Sequence, residues 1–97
     1  MSTALLSDAA IAARLEALPG WRRAGSAIVK EFTFAGFPEA VAFASRLVAP
    51  SEAADHHPDL TILYRRVVVT FTTHSAGGIT AKDFAGAASA EAVSGPR

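Results

Sequence analysis

The chain has 97 residues, 51% of them hydrophobic, which is enough for one buried core and too few for two. Nine Lys and Arg balance nine Asp and Glu, so no general electrostatic pull toward nucleic acid or an anionic membrane surface is expected. The absence of cysteine excludes disulfides and thiolate metal sites, and no apolar run approaches the ~20 residues of a transmembrane helix.

One domain over residues 1–97 is expected, without linker or internal repeat. The opening MSTALLSDAA has no basic stretch ahead of an apolar one, which predicts no secretory signal and a cytoplasmic location. Ser7 can cap a helix with Asp8 in its first turn, and Ile11, Leu15 and Leu18 follow at helical spacing until Pro19-Gly20 ends it. Trp21 opens the next segment as a core anchor. Residues 27–34 alternate: Ile28, Phe32 and Phe34 share one face, and Val29, Glu31 and Thr33 the other, as in a strand with one wet side. Lys30 falls on the apolar side, so its stem is expected to lie along the sheet near an edge.

Gly36 breaks this strand. Phe37, Ala40, Val41, Ala44, Leu47 and Val48 then recur every three or four residues, with Pro38 tolerable in a first turn. Pro50 should kink or interrupt this second helix, because it removes a backbone donor and crowds the preceding turn. A last turn is expected over residues 51–55. Pro58 pushes His57 toward extended geometry, so helix must stop near Asp55 or His56. Residues 60–64 and 66–73 read as two strands. In the second, Val67, Val69 and Phe71 share one face, and Val68, Thr70, Thr72 and His74 the other; no clear turn signal separates the strands near Arg65. Gly77-Gly78 breaks the chain again. Thr80 and Asp83 form a capping box ahead of an alanine-rich helix running to about Val93, and the tail SGPR is expected to fray. The order is α-β-β-α-β-β-α. It predicts an α+β fold, a four-stranded antiparallel sheet with three helices packed on one face.

Two of the three histidines, His56 and His57, stand together in EAADHHPDL at a helix-to-strand junction, where side chains can converge on a cleft. His74, at a strand end, is the third. Three imidazoles can in principle hold zinc, with Asp55 and Glu52 orienting them, but adjacent residues diverge on a helix, and no metal is expected. Acid–base work is the better match, since imidazole both gives and takes a proton near neutral pH. Asp83 is accounted for by the capping box and also by a role in the site.

Glu52, His56-His57-Pro58-Asp59, Tyr64, Val67, Val69, THSAGGIT (residues 73–80) and Asp83 together resemble the pterin-4a-carbinolamine dehydratase family, as do LPGW and FTFAGFPEAVAFASRLVA upstream. The match runs from about Leu15 to Asp83. The histidine pair alone is a weak signal; the whole set in order and spacing is specific. The resemblance implies dehydration of 4a-hydroxytetrahydropterin to the quinonoid dihydropterin, which recycles the cofactor of aromatic amino acid hydroxylases. It implies no metal or organic cofactor, and homodimers or homotetramers built by sheet extension and helix packing. It also implies that His56, His57 and His74 line the pterin pocket. His56 would protonate the leaving hydroxyl, His57 would serve the nitrogen side and His74 would assist. Glu52, Asp55 and Asp83 are the supporting residues, and Pro58, Thr73, Ser75 and Ala76 join the histidines in binding substrate.

Two departures from the family pattern stand out. Pro50 occupies a helical position where an ordinary helix former is usual, which threatens the placement of Glu52. Gly86 and Ala90 replace larger apolar residues, which should weaken packing of the last helix. Members of the family also serve as a dimerisation cofactor of a transcription factor, and related folds assist Rubisco assembly. A non-enzymatic dimerisation or assembly factor is therefore the alternative reading.

Overall fold

The computed structural model describes residues 4–95. The end of the expected frayed tail, Pro96 and Arg97, lies outside the described residues. Helix α1 (Asp8–Glu16) begins as expected, with Ser7 Oγ accepting the Ala10 N–H at 3.1 Å. Ile11 carries it into the core, with Leu15 and Leu18 partly buried against the same cluster. Trp21 is buried at the head of β1 (Arg22–Ala24), its ring 6.0 Å from Phe32 in an edge-to-face arrangement.

The sheet order is β1-β2-β4-β3, with every pair antiparallel. Ile28 and Phe32 of β2 (Ala27–Thr33) and Val67, Val69 and Phe71 of β4 (Arg66–Phe71) face one side. Ala40, Phe43, Leu47, Phe84, Ala87 and Ala90 meet them there, and all are buried. Each large apolar side chain so removed from water stabilises the fold by on the order of 1.5–3 kcal/mol. Lys30 lies just past the end of β1, which stops at Arg22 opposite Val29, so β2 is locally an edge as expected. The ammonium reaches inward, bonding Glu91 Oε2 at 2.6 Å and the Pro19 carbonyl at 3.0 Å, while the Trp21 indole donates to the same Glu91 oxygen.

The long second helix is two helices. Helix α2 (Phe37–Arg46) ends at Leu47, and α3 (Val48–Ala54) restarts immediately. Pro50 is the physical reason. It has no N–H for the Arg46 carbonyl and its ring crowds that carbonyl, so the break falls three to four residues ahead of the proline and α3 runs through it. Helix α3 then ends in a Schellman turn: Asp55 N–H bonds Glu52 O at 3.2 Å and His56 N–H bonds Ser51 O at 3.1 Å, with Asp55 left-handed at φ 49°. Aspartate tolerates that conformation better than most residues.

Strand β3 (Asp59–Leu63) starts directly after His57-Pro58 and lies at the sheet edge, exposed along its length. Leu63 pairs with Arg66, leaving Tyr64-Arg65 as a two-residue turn with Tyr64 at φ 56°. Strand β4 ends at Phe71, short of the expected residue 73. His74 belongs instead to a 3₁₀ turn (His74–Ala76), closed by paired backbone bonds between Thr73 and Gly78. Helix α4 (Ala81–Ser94) opens with the expected capping box and runs one residue past Val93. Gly86 does not loosen its packing. A Cβ there would come 2.4 Å from a carbon of the Phe71 ring, so the missing side chain is what lets that ring lie against the helix. Among the described residues, no helix is long and apolar enough to cross a membrane.

Candidate active site

The Schellman turn at Asp55 swings the chain off α3 so that two neighbouring histidines diverge. His56 turns inward, its side chain 13% exposed, and its ring stacks on Phe71 with centroids 5.8 Å apart and planes 20° from parallel. Its Nε2 lies 2.7 Å from Asp83 Oδ1. Asp83 is fully buried at the start of α4, and its other oxygen accepts the Thr73 hydroxyl at 2.8 Å and the Thr80 N–H at 2.9 Å. One carboxylate therefore both caps the helix and holds the ring.

The proton roles in this cluster follow from its connectivity. A carboxylate only accepts, so Nε2 of His56 is the donor and Nδ1 is the nitrogen left for a ligand. Thr73 spends its single hydroxyl proton on Asp83. The Thr80 hydroxyl, 2.8 Å from Thr73 Oγ, must then donate to it while accepting the Lys82 N–H at 3.2 Å. Among the described residues no buried side-chain polar atom is left without a partner.

His57 faces outward, with Nε2 2.5 Å from Glu52 Oε2. Both side chains are more than half exposed, so the contact contributes little to stability and acts to orient the ring. The break before Pro50 thus leaves Glu52 within reach of His57. The exposed His74 ring has no hydrogen bond or ion pair among the described residues.

An open polar hollow of about 350 Å³ gathers all three rings: His56, His57 and His74 line it with Asp55, Thr72, Thr73, Ser75 and Lys82. Glu52 and Asp83 stand behind the rings they hold. Ala76 is on the same 3₁₀ turn but does not line this hollow, and Pro58 lines another one, under α3, together with His57 and Glu52. Sequence reasoning passed over Thr72, Lys82 and Phe71 as site residues. Thr72 was legible as the next position on the polar face of β4, and Lys82 stood between the two capping residues. Nothing local marked Phe71 as the stacking platform. Among the described residues no group of three or more His, Cys, Asp or Glu is arranged to hold a metal ion.

The arrangement can move protons on a bound molecule from several sides: one ring is fixed and partly buried, one is oriented at the rim, and one is free. The family model described as pterin 4 alpha carbinolamine dehydratase matches residues 4–93. A relative from Thermomicrobium roseum, provisionally named as such a dehydratase, is 51% identical over 84% of this chain and 88% of its own length. One from Chloroflexus aurantiacus with the same provisional name is 47% identical over 93% and 97%. A Brucella melitensis structure described as a transcriptional coactivator/pterin dehydratase superposes with a TM-score of 0.88 at 35% identity, covering 93% of this chain and 98% of that one. A pterin dehydratase-like protein identified as a RuBisCO assembly factor in the α-carboxysome gives a TM-score of 0.66 at 27% identity, over 80% and 93%.

Proposed function

The chain belongs to the pterin-4a-carbinolamine dehydratase family, and from that premise we propose that it is a working dehydratase of 4a-hydroxytetrahydropterins. The observation that carries the reading is the convergence of His56, His57 and His74 on one polar hollow. The substrate holds a hydroxyl and a ring nitrogen on one carbon. The C4a–O bond breaks as the hydroxyl takes up a proton and departs as water. The proton on N5 is removed, and its electron pair forms the C4a=N5 bond of the quinonoid product. No electrons are exchanged with the protein and no cofactor is required.

His56 acts in its doubly protonated form: Nε2–H stays on Asp83 while the proton on Nδ1 goes to the hydroxyl. His57, oriented by Glu52, takes the one from nitrogen, and His74 assists on the other side of the ring. Asp55 lines the hollow beside the pair, and Thr73 and Ser75 help bind the pterin edge; Ala76 and Pro58, outside this hollow, take no part in it. Positioned acid–base help of this kind contributes about 10²–10⁴-fold. The proposed place of work is the cytoplasm, downstream of an aromatic amino acid hydroxylase.

The proposed oligomer is a homodimer, or a homotetramer made of two such dimers. The exposed edge strand β3 with Leu60, Ile62 and Leu63, and the exposed Phe37, Val41 and Val48 on the helices, are surfaces of the sort that natural edge strands cover. Those helix residues also favour the rival reading, a non-enzymatic coactivator or assembly factor. Stopped-flow absorbance of enzymatically generated 4a-hydroxytetrahydropterin separates the two. Accelerated decay supports the dehydratase. Decay no faster than without protein, together with stoichiometric capture of a partner protein, supports the rival.

A further inference from the structure

A second hollow, of about 100 Å³, lies between α3 and α4 and meets the histidine hollow at His56 and Lys82, which line both. Its remaining wall is mostly apolar, with Pro50, Ala54, Phe71, Ala85 and Gly86 in it, and Ser89 at one side. The sequence explains the space. The break before Pro50 restarts α3 on its own course. Residues 85, 86 and 89 of α4 are too short to fill the gap, and Phe71 is already committed to stacking between Gly86 and the His56 ring. An unfilled apolar hollow costs stability in proportion to its volume. A ~150 Å³ apolar cavity holds a benzene, so this one accommodates roughly four carbons.

We infer that this hollow is a specificity subsite for a short alkyl substituent on the ligand whose polar ring occupies the histidine hollow. The identity of that ring rests on the dehydratase reading; the subsite does not. A polyhydroxylated chain of equal length would lose water from its hydroxyls against a wall that offers few partners. The subsite therefore ranks alkyl-substituted pterins above hydroxylated ones. Each methylene that leaves water there should tighten binding about fourfold.

Two measurements on the full chain test this. In the first, xenon is titrated against ¹⁵N-labelled protein. Saturable amide shifts centred on Ala54, Ala85 and Gly86, and lost in Ser89→Leu, are expected; no xenon response at these residues overturns the subsite. In the second, dissociation constants are compared for 7,8-dihydropterin with no substituent, a 6-methyl and a 6-propyl group. The propyl compound should bind roughly 15-fold tighter than the methyl one. Ser89→Leu and Ala85→Leu, which fill the hollow from partly or fully exposed positions, should erase that ratio and leave the unsubstituted compound unaffected. Equal affinity for methyl and propyl overturns the inference. If no pterin binds while xenon does, the dehydratase reading fails and the apolar subsite stands.

Discussion

Replacing Asp83 separates its structural work from its chemical work. In Asp83→Ala, the Thr73 hydroxyl and the Thr80 N–H lose the oxygen they share, in a fully buried place. Each unsatisfied buried donor costs about 1–3 kcal/mol, the Thr80 N–H being Asp83's half of the capping box. The sum, about 2–6 kcal/mol, is a large share of the whole stability of a chain this size, on the order of 5–15 kcal/mol. Asp83→Asn is milder. Its amide oxygen can keep both donors, so the expected loss is about 1–2 kcal/mol, the difference between a charge-assisted and a neutral hydrogen bond. Its amide nitrogen then donates to His56 Nε2, so the ring can carry a proton on Nδ1 alone, and giving that proton up would leave an imidazolate instead of a neutral ring whose Nε2–H is held by a carboxylate. The folded Asn variant should therefore lose about 10²–10⁴-fold in dehydration rate, the worth of one correctly protonated acid–base group. Urea unfolding followed by circular dichroism reads the first effect, and stopped-flow turnover of the folded variant reads the second. Full activity in Asp83→Asn, or an alanine variant less than 1 kcal/mol below wild type, would refute the shared-carboxylate reasoning.

Other expectations follow from the same geometry. His57→Ala should remove most of the rate acceleration while changing stability by under about 0.5 kcal/mol, as for exposed positions in general; turnover and thermal melting measured on one preparation check both. Gly86→Ala pits a helix-propensity gain of about 1 kcal/mol against a clash with the Phe71 ring. Overpacking of that kind costs about 1–3 kcal/mol, so melting should fall, and because Phe71 backs His56, turnover should fall with it. Ile62→Lys, at the exposed edge strand, should shift the mass measured by light scattering from dimer to monomer with little loss of secondary structure.

What could be read beforehand tracks how local each cause is. Helices α1, α2 and α4 announced themselves through apolar spacing and caps, and β2 and β4 through alternation, because one face of each is buried against the same core. Strand β1 was expected from the order of elements but could not be delimited: its three exposed residues carry no alternation. The turn at Tyr64-Arg65 was equally opaque, since tyrosine has no preference for the left-handed backbone it adopts there. Pro50 announced a break but not its position, which depends on the carbonyl four residues back. His74 read as the next position on β4. The Thr73–Gly78 backbone pairing, with Gly77 left-handed, turns it onto a 3₁₀ turn instead. In the site, the histidines and Glu52 were legible as a motif, whereas the packing of Phe71 between His56 and Gly86 depends on two elements meeting.

The most direct test uses the fact that the chain contains only three histidines. Imidazole ¹⁵N resonances can be followed while a stable 7,8-dihydropterin is titrated into the protein. The account predicts that the rings of His56, His57 and His74 all shift along one saturation curve with a single Kd. A His74 ring that stays still while the other two respond, or that follows a different curve, would contradict it.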